Sequence, residues 1–505
     1  MKYRLISLGA ALLSVTLPAA SPAFAQNASK DVTIVLGEGV DLMEPCMSTR
    51  SNIGRILLQN INETLTELDI TGGKGLMPRL AESWDQQNDK TWRFHLRKNV
   101  KFSDGSDFDA EDVKHSIDRA MSSKIACETP RYFGSSKITA TVVDPSTIDI
   151  TADPGQAILP LMMSIVTIVP SSTPVEFTRN PVGTGPYKMA AWNVGQNIVL
   201  QRRDDYWGEK PQVAKATYVF RTDPAVAAAM VQTGEADIAP SISVTDATND
   251  KLDHAYPNSE VFYLRIDQGK APLQDKRVRE ALNLAIDRKA FVGTLVPAET
   301  TLATAMVPPS TLGFNKDIQP WPFDPDKAKK LIAAAKADGV AVDSKITIVG
   351  RSNLFPNVLE VMEAIQGMLK DVGFNVDLQM YEVAEFERIY SKPYSPDRTA
   401  QLVGAQHDNA RGDPVFSMFF KYHSKGPQSG FSDPKVDKMI EDATGATGDD
   451  RAKKWSGLIA YLNNEVVADI LLFNQVGFAR VNERVTFKPT IATNGQLQLS
   501  QIGFK

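Results

Sequence analysis

The alternation of apolar and polar residues is most informative between residues 80 and 121. Apolar side chains occupy every second position of 92–96 and basic side chains lie between them, which predicts a strand with one solvent-facing side. A turn follows at 103–106. Asp109 and, three positions later, Asp112 then have the spacing of a capping box at the start of a helix. The stretch therefore predicts a strand, a turn and a capped helix.

Similar patterns predict strands and helices in turn along the rest of the chain, and hence an α/β fold. Strands are predicted at 31–37, 214–220, 261–266, 345–350 and 374–380, with a hairpin at 138–151 and a strand pair at 468–480. Helices are predicted at 53–63, 224–233, 275–285, 327–336 and 358–371. In helix 275–285, Arg279 falls on the predicted polar side. Arg351 and Asn353 follow a strand, at the edge where open α/β sheets bind ligands.

The first 25 residues have the pattern of a secretory signal. Lys2 and Arg4 precede an apolar run at 5–17, and the sequence Ala-Phe-Ala ends at Ala25. The apolar run is shorter than the about 18 residues that a membrane-spanning helix needs. We therefore expect cleavage after Ala25 and export to the periplasm.

Charge and cysteine content narrow the class of protein. The net charge is −5 with the signal and becomes −7 once Lys2 and Arg4 are removed, and no basic block is present, which argues against nucleic acid as a partner. A mature chain of 480 residues predicts two or three lobes. Cys46 and Cys127 are the two cysteines, and in an oxidising compartment they form either a disulfide or two buried thiols.

Several motifs carry a family resemblance. The stretch at 80–121 contains A-E-S-W, F-H-L-R, K-F-S-D-G and A-E-D-V, and the stretch at 180–208 contains P-V-G-T-G-P and D-D-Y-W-G. With these motifs at this spacing the chain resembles the family 5 extracellular solute-binding proteins of ABC importers, which carry peptides, nickel, opines and some oligosaccharides. A tight structural turn accounts for Gly183 and Gly185 of the second stretch, because glycine permits backbone conformations and close approaches that other residues do not.

The resemblance implies an α/β, two-lobed periplasmic-binding-protein-like fold with an extra small α/β domain. It implies these boundaries: signal peptide 1–25; discontinuous lobe I at 26–55, 160–264 and 474–505; small appended domain at 56–159; and lobe II at 265–473. The chain would cross between the lobes near 262–270 and 470–476.

The resemblance also places two polar segments at the ligand cleft. The first is the loop after the opening strand, with Met47, Ser48, Thr49, Arg50 and Ser51. A helix cap at Ser51 or Asn52 would explain this polar cluster without any ligand.

The second segment is where relatives carry W-G-x-D-Y-x-D-P. In peptide binders the first aspartate of that motif holds the ligand's amino terminus. Here Asp408 lies six positions before Pro414 instead of four, so its role is either kept after an insertion or lost. His407, Asn409 and Arg411 complete the segment, which a polar surface turn would also explain.

The expected function is the capture of a small polar solute, either an opine or sugar conjugate or a short peptide, by hinge closure and its delivery to an ABC permease in the inner membrane. A dipeptide or oligopeptide binder, a ligand-presenting partner of a chemoreceptor and a secreted hydrolase are the alternatives, although neither G-x-S-x-G nor H-E-x-x-H occurs. We predict no catalytic residues, no cofactor and no metal site, because the five histidines form no ligand pair. We expect a monomer.

Overall fold

The computed structural model describes residues 30–40, 42–47, 52–69, 76–125, 127, 129–133, 136–409, 412–493, 495 and 497–505. The predicted signal peptide lies outside these residues. The strands are β1 Asp31–Leu36, β2 Thr66–Leu68, β3 Leu76–Pro78, β4 Ala81–Gln86, β5 Thr91–Leu96, β6 Lys137–Asp144, β7 Thr147–Asp153, β8 Tyr187–Asn193, β9 Asn197–Arg202, β10 Lys215–Phe220, β11 Ile238–Ile242, β12 Asp253–Ile266, β13 Thr301–Leu302, β14 Ile346–Arg351, β15 Val376–Tyr381, β16 Ala400–Asp408, β17 Asp469–Val481, β18 Val485–Thr486 and β19 Gly503–Phe504. The α-helices are α1 Asn52–Leu58, α2 Ala110–Ala120, α3 Leu159–Met162, α4 Pro224–Thr233, α5 Lys276–Leu284, α6 Pro325–Ala337, α7 Val358–Asp371, α8 Val383–Tyr390, α9 Val415–Tyr422, α10 Pro434–Thr444 and α11 Gly448–Tyr461.

The predicted strand, turn and capped helix of residues 80–121 are confirmed as β5 and α2. Asp109 accepts from the amide of Glu111, and the Asp112 carboxylate accepts from the amide of Asp109, which completes the capping box. β5 is a central strand of a four-stranded sheet in the order β4-β5-β7-β6, and α2 packs on this sheet. Phe94, Ile148 and other buried side chains form its core. These elements form the small α/β domain.

The largest sheet joins two groups of strands through two long strands. Its order is β15-β14-β16-β12-β17-β11-β1-β10-β9-β8, with β13 paired to β17. β12 and β17 are antiparallel over nearly their whole length, and their register shifts between Pro257 and Val261. On one side of that shift β17 pairs with β11, which pairs with β1. On the other side β12 pairs with β16, which pairs with β14. β12 and β17 are therefore the connection between the two lobes, whereas the predicted domain boundaries stay a prediction.

Separate hydrophobic cores accompany the two groups of strands. Ile34, Tyr187 and Tyr218 belong to the core around β1 and β10, which is the core of lobe I. Phe262 and Ile348 belong to one of two cores on the faces of the β12, β14 and β16 group, which is lobe II. Hydrophobic residues on both faces of a mixed sheet need helices to cover them, and α5 to α11 supply that cover in lobe II.

The strand pair predicted at 468–480 is wrong, because β17 runs through this segment as one strand. The sequence Asn474-Gln-Val-Gly477 resembles a turn, but the glycine serves a different purpose. A Cβ atom at Gly477 would lie 2.5 Å from the Tyr256 ring carbon Cζ on the neighbouring strand β12. The glycine therefore makes room for a tyrosine and does not reverse the chain.

Two helices also differ from the prediction. α1 ends at Leu58 rather than near 63, because the carbonyls of Asn60 and Ile61 accept from the amides of Tyr187 and Gly185. In α5, Arg279 is buried although it was predicted on the polar side. Its guanidinium donates to the carbonyl of Val466, so the positive charge is solvated by backbone oxygens.

The glycines and aromatic residues of the 180–208 stretch have structural roles. A Cβ atom at Gly183 would lie 2.1 Å from the carbonyl oxygen of Ile61, so only glycine allows this close approach. At the end of the stretch, the Tyr206 hydroxyl and the Trp207 indole nitrogen both donate to the buried carboxylate of Glu63, at 2.9 and 2.8 Å. The motif therefore fastens lobe I to the chain that enters the small domain.

A disulfide and a buried ion pair hold the segment before the candidate ligand loop. Cys46 and Cys127 form a disulfide with a Cα–Cα distance of 5.2 Å, which settles the open alternative. The Arg119 guanidinium donates to both carboxylate oxygens of Glu44, at 2.6 and 3.0 Å, and both side chains are buried. The segment that contains Glu44 and Cys46 is thus tied to the small domain. No helix in the described part of the chain is both long and apolar enough to span a bilayer.

Candidate functional site

The candidate site lies where strands of both lobes end at their carboxyl edges. β1 of lobe I is followed by Glu38, and β14 of lobe II ends at Arg351. β16 runs parallel to β14, with Val349 opposite Val403, and ends at Asp408. Because parallel neighbours finish at the same edge, the ends of β14 and β16 lie close together.

Arg351 and Glu38 connect the lobes across the cleft. Nη2 of Arg351 lies 3.7 Å from Oε2 of Glu38, and their side chains are 21% and 43% exposed. The Nε atom of Arg351 is buried without a hydrogen-bond partner among the described residues. The guanidinium therefore keeps donor capacity that neighbouring side chains do not use.

Asp408 and Asn409 are attached to the segment where β12 changes register. The hydroxyl of Ser259 donates to Oδ1 of Asp408, and the amide of Asn409 donates to the carbonyl of Ser259 at 3.1 Å. The side-chain amide of Asn409 donates to Oγ1 of Thr311 at 3.0 Å, and within the described part of the chain its buried Oδ1 has no hydrogen-bond partner. Both residues therefore lie beside the connection between the lobes, and Asn409 keeps one acceptor available.

His407 and Asn353 have different surroundings. His407 Nε2 is 2.5 Å from Oγ of Ser417 on α9, so this ring lies on the opposite face of β16 from Asp408. Asn353 is exposed in a turn after β14 with a φ of 57°, a value that asparagine tolerates better than most residues.

Part of the predicted site lies outside the described residues. The backbone of Met47 ends the 3₁₀ turn Pro45–Met47, and its side chain is not among the described ones. Ser48, Thr49, Arg50, Ser51 and Arg411 all lie outside the described residues. Their ligand roles stay predictions.

Comparison with known proteins identifies the family. The family model for bacterial extracellular solute-binding proteins, family 5 Middle, matches residues 75–428. The glutathione-binding protein GsiB of Salmonella paratyphi A is 31% identical over 391 residues, covering 74% of this chain and 74% of that protein. The chain is a family 5 extracellular solute-binding protein. Proteins of this family are periplasmic solute-binding components of ABC importers, which deliver ligand to a membrane permease and are not enzymes.

Solved structures show the same two-lobed fold. The periplasmic binding protein DppA of Helicobacter pylori, in complex with the peptide STSA, has a TM-score of 0.82 at 21% identity, covering 94% of this chain and 98% of that one. AgaA of A. tumefaciens R10, in complex with agropinic acid, has a TM-score of 0.81 at 21% identity, covering 94% and 99%. The family 5 fold is therefore common to proteins solved with chemically different ligands.

In this family 5 protein the lobes also touch away from β12 and β17. The ring of Tyr132, from the small domain, meets the ring of Phe416 on α9 edge-on, with centroids 5.7 Å apart. Ile165, which follows α3, is buried in a lobe II core. The small domain and lobe II therefore share an apolar contact.

Sequence reasoning did not select Glu38, although the rule that selected Arg351 applies to it. Both residues lie at the carboxyl end of a parallel strand. The sequence Gly37-Glu38-Gly39 directly after β1 could have selected Glu38 as a candidate site residue, because one charged residue stands there between two glycines.

A second polar cluster lies inside lobe II. The hydroxyl of Tyr422 donates to Oδ2 of Asp469 at 2.5 Å, and both residues border a cavity of about 20 Å³. Burial raises the pKa of Asp469 to about 7, although the hydrogen bond from Tyr422 and the charges of Arg265 and Lys421 act in the opposite direction. Among the described residues, no group of three or more histidine, cysteine, aspartate or glutamate side chains could hold a metal ion.

Proposed function

We propose that this protein captures a small polar solute with an acidic group, either an opine or sugar conjugate or a short peptide, by hinge closure and delivers it to its permease. The observation that carries the proposal is the position of Arg351 at the cleft edge of lobe II, where its buried Nε has no partner among the residues that the structure describes. A guanidinium donates two parallel hydrogen bonds to a carboxylate, whose two oxygens accept them.

The relatives support an acidic solute of this size. GsiB is named for glutathione, DppA was solved with the peptide STSA and AgaA with agropinic acid. Hinge closure follows from the contacts that both lobes offer, because a ligand held by both lobes favours the closed state by its differential affinity. Export to the periplasm with cleavage after Ala25 belongs to the same proposal, and the intact mass of the mature protein checks it.

A peptide proper is the second candidate, and the observation that favours it is Asp408. Its carboxylate lies at the end of β16, beside the connection between the lobes, where it would hold an amino terminus. An Asp408→Asn variant distinguishes a peptide from a sugar conjugate as the solute. Because the variant lacks the negative charge, its affinity for trialanine should fall far more than its affinity for a sugar conjugate.

The identity of the solute is tested by native mass spectrometry of protein purified from its own cells, because a tightly held ligand co-purifies. Calorimetric titration with that solute into Arg351→Met is expected to show affinity reduced by about tenfold or more. Arg388→Met is the matched control, since Arg388 is 69% exposed and pairs with Glu385 on the surface of α8. Equal affinity of Arg351→Met and the control would contradict the proposal.

A further inference from the structure

Lobe II contains a cavity of about 420 Å³ between the proline-rich segment before α6 and the end of α11, here called the α11 cavity. Its volume falls within the about 300–1,000 Å³ that is usual for small-molecule sites. The polar and aromatic side chains that line it are Asn315, Asp317, Gln319, Trp321, Asn463 and Asn464. Arg351 and Asp408 do not border it, so it is separate from the cleft described above.

Trp321 forms one wall of the α11 cavity and is held in a fixed orientation. Its ring is partly buried and packs against the lobe II core that contains Phe262 and Ile348. Its indole nitrogen donates to Oδ1 of Asn463 at 3.2 Å. Because the ring is fixed on the core side and at its nitrogen, the surface that borders the cavity is a flat apolar wall.

The facing wall is an unusual turn of the backbone. α11 continues directly into a π-helical turn, Leu462–Val466, which carries Asn463 and Asn464. Turns of this kind are rare and frequently lie at functional sites. Val467 follows with a φ of 49°, a conformation that is costly for a β-branched residue. The buried Arg279 guanidinium stabilises the turn, because it donates to the last carbonyl of the turn at 3.0 and 2.9 Å.

The hydrogen-bonding groups around the cavity are mostly uncharged. Nδ2 of Asn463 donates to Oδ1 of Asn464 at 3.2 Å, and Asn464 is exposed, so its own amide group is accessible. Gln319 and Asp317 are exposed on the proline-rich side. Asp317 is the one charged side chain that lines the cavity among the described residues. Side-chain amides both donate and accept, so the lining suits a ligand whose own groups do the same.

A sugar ring meets both requirements of this cavity. The C–H groups of one face pack on a flat aromatic surface, and the hydroxyl groups at the edge donate and accept hydrogen bonds. We propose that the α11 cavity binds a neutral saccharide, with Trp321 as the stacking surface and Asn464 and Gln319 as hydrogen-bond partners. This site lies outside the cleft, so the inference holds whichever solute the cleft captures.

Charged ligands match the cavity less well. An anion would approach the carboxylate of Asp317, and no lysine, arginine or histidine lines the cavity among the described residues. A quaternary ammonium ion is recognised by a cage of aromatic rings, whereas one aromatic ring, that of Trp321, lines this cavity in the described chain.

The test is titration of the mature protein with maltose, cellobiose, diacetylchitobiose and choline, followed by tryptophan fluorescence and saturation-transfer NMR. At least one of the three disaccharides is expected to bind, and choline is not. Trp321→Phe keeps a smaller ring and should lower the affinity by about threefold, whereas Trp321→Ala should lower it by about tenfold or more.

Asn464→Ala tests the site without changing the core. Because Asn464 is exposed, this variant should keep the wild-type unfolding temperature and still lose about threefold or more in saccharide affinity. Two controls on β8 of lobe I match the variants. Trp192→Phe matches Trp321→Phe, since Trp192 is also partly buried against a lobe core. Asn193→Ala matches Asn464→Ala, since Asn193 is an exposed asparagine whose amide pairs with Asn197. Both controls should bind the saccharide as wild type does.

A reciprocal experiment separates the α11 cavity from the cleft. Arg351→Met should keep the wild-type affinity for the disaccharide, and Trp321→Phe should keep the wild-type affinity for the co-purified solute. Loss of disaccharide binding in Arg351→Met would place the sugar in the cleft, which overturns this inference and leaves the proposed function standing.

The remaining outcomes also decide the question. Wild-type protein that binds none of the three disaccharides overturns the inference, and so does binding of choline alone, which would assign the cavity to a cation. Disaccharide affinities of Trp321→Phe and Asn464→Ala that equal those of their controls would overturn it as well.

Discussion

At the scale of single residues, the charges of this protein divide into those that are fully used and those that keep capacity. Arg119 and Arg279 are buried and give their donors to Glu44 and to the carbonyl of Val466. Arg351 is partly exposed at the cleft, and its buried Nε has no acceptor in the described ranges of the chain. A buried arginine with satisfied donors stabilises the fold, whereas an arginine with spare donors at a cleft is available to a ligand.

Asp469 gives a prediction for pH dependence. Its pKa of about 7 in the folded protein exceeds the about 3.9 of an unfolded aspartate. The folded state therefore binds more protons between these pH values, so its contribution to stability is largest at low pH and falls as pH rises to about 7. We expect the free energy of unfolding of wild-type protein, relative to Asp469→Asn, to decrease from pH 5 to pH 7 by up to about 1.4 kcal/mol per pH unit.

Urea unfolding of both proteins at pH 5, 6, 7 and 8 measures this difference, in which the other titrating groups cancel. Asp118→Asn is the control, because Asp118 forms an exposed pair with Lys114 on α2. A difference between wild type and Asp469→Asn that does not change over this pH range would show that Asp469 is already ionised at pH 5.

At the scale of elements, the sequence predicted best where the signal is local. The capping box of α2 and the alternation of β5 involve residues a few positions apart, and both were found. The end of α1 and the continuity of β17 depend on partners far away in the chain, Tyr187 and Tyr256, which no local pattern reveals. The same holds for the site, where Arg351 was predicted but its partner Glu38 came only from the structure.

Gly183 gives a prediction at this scale. An alanine there would place its Cβ 2.1 Å from the carbonyl oxygen of Ile61, and that backbone cannot move without disturbing the junction of lobe I and the small domain. We expect Gly183→Ala to lower the free energy of unfolding by about 2 kcal/mol or more. Gly457→Ala in α11 should instead raise it by about 0.5–1 kcal/mol, because its Cβ meets nothing within 4 Å and alanine favours a helix.

Denaturant unfolding of the two glycine variants, followed by circular dichroism, checks both signs. An unfolding midpoint of Gly183→Ala equal to that of wild type would mean that the backbone at Ile61 yields without cost. The close approach would then not explain why glycine occupies this position in the motif.

At the scale of the whole molecule, closure depends on more than the ligand. β12 and β17 connect the lobes, Glu38 and Arg351 meet across the cleft, and the small domain touches lobe II through Tyr132 and Phe416. The last contact involves no candidate ligand residue. It therefore adds to the stability of the closed state whether or not the cleft is occupied, and it sets how much of the ligand's binding energy is needed for closure.

Tyr132→Ala tests this separation of closure from ligand contact. An aromatic pair contributes about 0.5–1.5 kcal/mol, so its loss should shift the equilibrium between closed and open states toward the open state by about two- to tenfold. The affinity for the co-purified solute should fall by the same factor. Small-angle scattering should show a larger radius of gyration before ligand is added and the wild-type value at saturation. Tyr461→Ala is the control, because that ring packs against Lys435 within lobe II and away from the cleft. Weaker binding in Tyr132→Ala with unchanged scattering would place Tyr132 in contact with the solute itself, and unchanged affinity would mean that this apolar contact adds nothing to closure.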